Sequence, residues 1–148
     1  MKMESSVVIA ELQHFIQEGK NVVLPVDGRS MRPFIIGGKE KVEFHPLKGA
    51  LHRGDVVLAK VDEGYYVVHR VVECREGRVI LEGDGNLGFQ EHCPQEQVIA
   101  QGIYVIDGKE RKRSLVSSSA MRKWRWWMAL KPIRRILLFI DKLICKIK

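Results

Sequence analysis

The sequence contains little cysteine and no apolar run long enough to suggest an export signal. Its three cysteines, Cys74, Cys93 and Cys145, are odd in number and have no CxxC spacing. This pattern indicates neither a disulfide framework nor a thiolate zinc site, and it favours a reducing compartment. The first 15 residues, MKMESSVVIAELQHF, also lack a small-residue cleavage site. We therefore expect no signal peptide.

Patterns typical of metal sites are also lacking. The histidines outside the candidate catalytic stretches are His14, His45, His52 and His92, and they show no HExxH or comparable ligand spacing. We predict neither a metal nor any other cofactor. The chain has 148 residues, of which 45% are hydrophobic and 29% charged, and this composition fits one compact domain with a real core.

The net charge of +7 is distributed very unevenly along the chain. Residues 109–148 contain 13 Lys and Arg against 2 Asp and Glu, whereas residues 1–108 contain 12 against 16. The body is therefore mildly acidic and the tail strongly basic. Because the body lacks an interleaved basic and aromatic face, we expect no nucleic-acid partner.

The apolar pattern predicts a mainly β fold with a helix at each end. Apolar positions at helical spacing predict a helix in residues 1–19, ended near Gly19. Short β-rich runs with turn residues between them follow, namely NVVLPV, KVEFHP, DVVLAKV, YYVVHRVVE, RVILEGD and QVIAQGIYVI. We predict a coiled antiparallel sheet or barrel in residues 20–108. Residues 109–148 then form a basic linker, flexible around SLVSSSA, and an amphipathic C-terminal helix.

The C-terminal tail has the composition of a helix that lies on a membrane surface. From Ile133 to Ile147, apolar residues recur at helical spacing on one face, and charged residues occupy the other. Too many charges lie in this stretch for a spanning helix. We predict contact with an anionic membrane; the alternative is packing on its own domain or on a partner subunit. The predicted contact residues are Trp124, Trp126, Trp127, Arg134 and Arg135.

Three stretches supply the residue types of a serine hydrolase. They are GRSMRP with Ser30, YYVVHRVV with His69 and LEGDGN with Asp84. A serine hydroxyl becomes a good nucleophile when a nearby base removes its proton and a third group orients that base. Each residue also has a structural alternative: Ser30 in a turn, His69 as a satisfied core residue, and Asp84 in an Asx-turn.

These stretches resemble the S24/S26 serine peptidases, the clan of signal peptidases and LexA-type autoproteases. The resemblance rests on four boxes in the family's order: Ser-Met-Arg-Pro from Ser30, Gly-Asp-Val-Val from Gly54, His-Arg-Val from His69, and Gly-Asp-Gly-Asn from Gly83. It covers roughly residues 20 to 106 and none of the tail. The resemblance implies the catalytic-domain fold of this clan. It is strongest for the signal-peptidase branch that uses histidine as the base instead of lysine.

The resemblance also implies a role for each candidate residue. Ser30 would attack the scissile carbonyl, His69 would take its proton, and the Ser30 N–H would stabilise the oxyanion. Many signal peptidases have a hydroxyl residue at the position of Gly28, so a second oxyanion donor would come from elsewhere. We predict substrate or oxyanion contacts at Gly28, Met31 and Pro33. Asp84 is the predicted orienting acid, and Glu91 remains open for the same role.

The leading hypothesis is a signal-peptidase-like serine endopeptidase that cleaves a peptide or preprotein near a membrane surface through Ser30 and His69. We expect it in the cytoplasm, peripheral on the inner face of the membrane. One alternative is a LexA-like regulatory autoprotease. The sequence has no Ala-Gly or Cys-Gly dipeptide and no room for a helix-turn-helix domain ahead of the core, which argues against it. The other is a catalytically inactive β-domain whose basic tail binds membrane.

Overall fold

The computed structural model describes residues 2–3 and 6–147, without the side chains of residues 2, 3, 6, 7, 131 and 147. The outermost parts of the predicted ranges 1–19 and 109–148, at residues 1, 4, 5 and 148, therefore lie outside the described residues. The helices are α1 (Ser6–Gln17), α2 (Ser118–Ala129) and α3 (Lys131–Ile147). The strands are β1 (Lys2–Met3), β2 (Val22–Pro25), β3 (Lys41–His45), β4 (Val56–Lys60), β5 (Tyr66–Arg75), β6 (Arg78–Glu82), β7 (Gln90–Pro94), β8 (Val98–Ile106) and β9 (Lys112–Ser114).

Within this described part, the strands form one antiparallel sheet, which confirms the predicted mainly β fold. The hydrogen-bonded order is β2-β3-β8-β4-β5-β6-β7, and in addition β1 pairs with β5 and β9 with β8. The sheet is not closed into a barrel, because its path ends at β2 on one side and β7 on the other. Of the two predicted forms, the barrel is therefore wrong.

Two long strands change their pairing partner along their length. β5 pairs with β4 through its first half and with β6 through its second, with a register shift between Val71 and Glu73. β8 pairs with β4 and β3 in a similar way, and a register shift in β4 lies between Leu58 and Ala59. Bulges of this kind bend a strand and increase the local twist. Two separate apolar clusters pack against the sheet.

The larger apolar cluster holds α1 against the sheet. Ile9, Leu12 and Ile16 are buried there, at the spacing expected for one face of a helix. The helix ends where predicted, since Gly19 adopts a φ of 82° and the Lys20 N–H donates to the Phe15 carbonyl. The smaller cluster lies around β5, β6 and β7, and its members include Val67 and Val71 on the same face as His69.

The segment predicted as a flexible linker is ordered and packed. Ser114 belongs to β9, Leu115 is buried in the larger cluster, and the Ser117 side chain accepts a hydrogen bond from the Ala120 N–H at the start of α2. Small polar residues are common in linkers and equally common as helix caps, so composition alone misled here. Among the described helices, none is both long and apolar enough to cross a membrane.

Candidate active site

Ser30 and His69 are in direct contact, although they lie 39 positions apart in the chain. The Ser30 Oγ is 3.0 Å from His69 Nε2. Ser30 lies in the loop after β2 and is partly exposed, whereas the imidazole on β5 is only 2% exposed. The structure thus brings together the two residues that the sequence predicted as nucleophile and base, at a distance that suits proton transfer.

Glu91 completes a continuous series of hydrogen bonds. Its Oε1 is 2.6 Å from His69 Nδ1, and the Tyr65 hydroxyl donates to Oε2 over 3.1 Å. A carboxylate only accepts hydrogen bonds, so the contact places the imidazole proton on Nδ1 and leaves the Nε2 lone pair for the Ser30 hydroxyl. This is the tautomer that a general base for Ser30 requires.

The strand that carries Glu91 was not predicted from the sequence. β7 reads QEHCP and lacks the β-branched and aromatic residues by which the other strands were identified. In the structure Glu91 and Cys93 are buried while Gln90 and His92 are exposed, but Glu91 is charged, so the sequence of β7 shows no apolar alternation. Pairing of Leu81 with Glu91, and of Val71 with Leu81, puts Glu91 on the face of the sheet that also carries His69.

Protonation in this group follows from burial and from the hydrogen bonds. Burial lowers the pKa of His69 below its ordinary value, although the Glu91 carboxylate opposes the shift. Burial raises the pKa of Glu91, but the hydrogen bonds from His69 and Tyr65, together with the charge on His69, outweigh it and hold that pKa below its usual range. Burial and the Glu91 charge raise the pKa of Tyr65. At neutral pH the site therefore contains a neutral imidazole, an ionised carboxylate and a protonated phenol.

Asp84, the predicted orienting acid, has a different partner, and this assignment is corrected. Its carboxylate is fully buried against Arg70, with Arg70 Nη2 2.6 Å from Oδ2, and it also accepts a hydrogen bond from Trp124 Nε1. The Trp127 indole donates to the Asp84 carbonyl over 2.8 Å. Neighbouring residues on a strand face opposite ways, so Arg70 carries Asp84 on the opposite side of β5 from His69.

The two glycines beside Asp84 support the loop of residues 26–40, which carries the candidate nucleophile Ser30 and which we call the nucleophile loop. The Gly85 N–H donates to the Ser30 carbonyl over 2.8 Å. A Cβ on Gly83 would lie 2.4 Å from the same carbonyl oxygen, and one on Gly85 would lie 2.8 Å from the Arg32 carbonyl. Only glycine permits so close an approach of the two backbone segments. The Gly-Asp-Gly stretch thus holds the backbone of Ser30, and Arg70 and α2 in turn hold the stretch.

The three predicted substrate or oxyanion residues have different surroundings. Gly28 is exposed with a φ of 85°, and its N–H donates to Asp27 Oδ1. Pro33 is also exposed. The Met31 side chain is fully buried in the larger apolar cluster, so its predicted contact with substrate is corrected. The buried Met31 side chain, next to Ser30, instead fixes the nucleophile loop to the core.

The predicted membrane-contact residues separate into buried and exposed groups. Trp124, Trp127 and Arg134 are buried, and this corrects their predicted contact with lipid. The two indoles have partners in the Asp84 loop, and Arg134 Nη1 contacts the Met128 sulfur. Trp126 is 71% exposed and Arg135 is exposed as well. The density of tryptophan and charge did not reveal which residues face inward.

The apolar face of α3 lies outside the core. We call it the α3 stripe, and its exposed members are Ile133, Ile136, Leu137, Ile140, Leu143 and Ile144. One predicted alternative was that this face packs on its own domain. The structure contradicts it, because the stripe is exposed. The charged side of the helix turns towards the nucleophile loop, where Asp141 Oδ2 contacts Arg29 Nη2 at 2.7 Å and Arg32 Nη1 at 3.1 Å.

Comparison of the chain with protein-family models, with curated proteins and with solved structures finds no match.

Proposed function

We propose that the chain is a serine endopeptidase of the signal-peptidase-like type, with Ser30 as nucleophile, His69 as general base and Glu91 as the residue that positions His69. The observation that carries the proposal is the series of contacts from Ser30 Oγ to His69 Nε2 and from His69 Nδ1 to Glu91, at 3.0 and 2.6 Å. The resemblance of the four sequence boxes to the S24/S26 peptidases supports the same assignment. Asp84 takes no part in this chemistry.

Acylation begins when Ser30 Oγ attacks the carbonyl carbon of a bound peptide. The hydroxyl proton passes to His69 Nε2, and the resulting imidazolium is stabilised by the adjacent Glu91 carboxylate. The carbonyl oxygen becomes an oxyanion, which the Ser30 N–H stabilises, a contribution of about 3 kcal/mol per donor. The C–N bond then breaks, the leaving amine takes the proton from Nε2, and an ester to Ser30 remains.

Deacylation repeats these steps with water. Neutral His69 removes a proton from a water molecule while the water oxygen attacks the ester carbonyl. His69 then returns that proton to Ser30 Oγ when the C–O bond breaks. The products are two peptide fragments and free enzyme. We propose that the substrate binds in extended form along a sheet edge, by the main-chain pairing common in peptide recognition.

We place this reaction at an anionic membrane surface, with the protein peripheral on the cytoplasmic side. The α3 stripe is exposed, and Trp126 on α2 adds a second exposed apolar group. A helix with an apolar face and many cations lies in the interface because both lipid chains and headgroups attract it.

A fluorophosphonate probe tests the proposal without a known substrate, because it phosphonylates activated serines. We expect one modification, located at Ser30 by peptide mass spectrometry. The rate should be constant at neutral pH and should fall in acid with a midpoint below about pH 6.5, the ordinary pKa of histidine. The reason is that burial lowers the pKa of His69, so the base is neutral down to a more acidic pH than a free histidine. No labelling at any pH would favour the inactive membrane-binding β-domain.

Glu91→Gln should reduce the labelling rate about 10³- to 10⁴-fold with little loss of stability, because an amide does not stabilise the imidazolium. The acid limb of the pH profile should also move to lower pH, since the hydrogen bond to Glu91 raises the pKa of His69. Glu96→Gln removes the same charge from an exposed position and is the matched control. A purely structural Glu91 would lower the melting temperature and leave the labelling rate at neutral pH unchanged.

A further inference from the structure

A cleft of about 390 Å³ lies between the nucleophile loop and α3. One wall contains Arg29, Arg32 and the stretch from Gly85 to Leu87, and the other contains residues of α3. Arg29 directly precedes Ser30, so the cleft adjoins the candidate nucleophile. None of the proposed catalytic steps uses it.

The cleft concentrates positive charge. Arg29 and Arg32 face Arg135 and Lys142 across it, and none of the lining residues that the structure describes is acidic. Asp141 contacts Arg29 and Arg32 from α3, so one carboxylate offsets four cations. Both α3 cations are exposed at the cleft. An excess of positive charge with several N–H donors in one concave site fits a phosphate-type anion.

Apolar side chains next to these cations indicate where the phosphate comes from. Leu87, Leu138 and Phe139 line the same cleft, and Phe139 is 61% exposed. Phe89, two residues after Leu87, is also exposed. The α3 stripe lies on the other side of the same helix from Arg135 and Lys142, and Phe139 lies at its border. Apolar walls do not stabilise a free phosphate. A phospholipid carries acyl chains directly beside its charged headgroup, and apolar walls can contact those chains.

We propose that this cleft binds the headgroup of an anionic phospholipid, while the α3 stripe and Phe139 contact the acyl region. The bound lipid then holds the nucleophile loop at the membrane surface, so that Ser30 meets polypeptide emerging from or lying on the bilayer. This inference rests on the membrane-surface part of the proposed function. It does not depend on the chemistry of Ser30.

Short-chain lipids below their micelle concentration test the site in solution. Amide resonances of the 15N-labelled full chain are followed during titration with dihexanoyl phosphatidylglycerol, dihexanoyl phosphatidylcholine or inorganic phosphate. We expect saturable shifts at Arg29, Arg32, Asn86 and Phe139 with phosphatidylglycerol, and affinity at least about fivefold weaker with the other two. Equal affinity for inorganic phosphate would make this a site for free anions and overturn the lipid assignment. Shifts that spare the nucleophile loop would overturn the site itself.

Vesicle flotation with matched variants then separates the cleft from the stripe. Arg135→Gln combined with Lys142→Gln should weaken binding to vesicles containing phosphatidylglycerol about 30-fold and abolish the loop shifts. Lys39→Gln combined with Lys48→Gln removes the same charge from exposed positions of the body and should change binding less than about threefold. Equal losses in the two charge variants would show general attraction without a headgroup site, and would contradict the proposal.

A stripe variant distinguishes failure of the cleft from failure of the membrane location. Ile136→Ser combined with Ile140→Ser should weaken binding to vesicles, because both side chains are exposed on the α3 stripe. If this variant fails to float while the cleft variant binds like the wild type, the membrane location stands and the headgroup site falls. If both variants bind like the wild type, both ideas are wrong. Labelling of Ser30 without lipid tests the peptidase separately.

Discussion

Replacing Ser30 or His69 by alanine should reduce peptide hydrolysis by about 10⁴- to 10⁶-fold while the protein remains folded. Each change removes one partner of the 3.0 Å contact on which nucleophilic attack depends. Because the substrate is unknown, hydrolysis is measured on a defined peptide library by mass spectrometry. Fluorophosphonate labelling provides a second readout, and circular dichroism confirms that the fold is retained. Both variants should lose peptide hydrolysis and fluorophosphonate labelling.

The matched controls lie outside the proposed machinery. Ser118→Ala changes an exposed serine at the start of α2, and His92→Ala changes the exposed neighbour of Glu91 on β7. Neither should alter hydrolysis or labelling. Hydrolysis of the library by the Ser30→Ala protein at the wild-type rate would eliminate the proposed mechanism. Cleavage confined to the protein's own chain would point instead to the LexA-like alternative.

Replacing Asp84 by alanine should destabilise the fold by about 3–5 kcal/mol, because removal of one partner leaves the other ion of a buried pair uncompensated. Arg70 and Asp84 are each 2% exposed, and Trp124 would lose an acceptor as well. For a chain of this size we expect the melting temperature to fall by about 6–20 °C. Thermal unfolding followed by circular dichroism measures the change.

An exposed ion pair serves as the control for this prediction. Asp62 pairs with Arg78, and each side chain is 47% exposed, so Asp62→Ala should cost less than about 1 kcal/mol. Below its lowered melting temperature, Asp84→Ala should keep labelling within about tenfold of the wild type, far above Glu91→Gln. An Asp84→Ala protein of normal stability that labels as poorly as Glu91→Gln would restore Asp84 as the orienting acid.

Prediction from the sequence succeeded where the signal is local. The apolar spacing of Ile9, Leu12 and Ile16 predicted α1, and runs rich in valine and isoleucine predicted most of the long strands. It failed for β7, whose five residues contain neither β-branched nor aromatic side chains. The sequence therefore predicted no strand at Glu91, which stayed open as the orienting acid while Asp84 was the predicted one.

The tail shows the same limit. Helical periodicity identified the α3 stripe, which the structure leaves exposed. Periodicity could not reveal that Trp124 and Trp127 turn inward, because their partners are the carboxylate and the carbonyl of Asp84, some forty residues away in the chain. Contacts over such a distance leave no trace in local composition.

By itself, the sequence determined the β-rich body, the amphipathic ends, the uneven charge and the pairing of a candidate serine with a candidate histidine. Only the tertiary structure decided which acid serves His69 and which serves Arg70. The physical reason is the strand geometry: side chains alternate between the two faces of a sheet, so His69 and Arg70, adjacent on β5, face opposite ways. Pairing of β6 with β7 brings Glu91 to the face that carries His69. On the opposite face, α2 packs over Asp84, and its Trp124 donates a hydrogen bond to the Asp84 carboxylate.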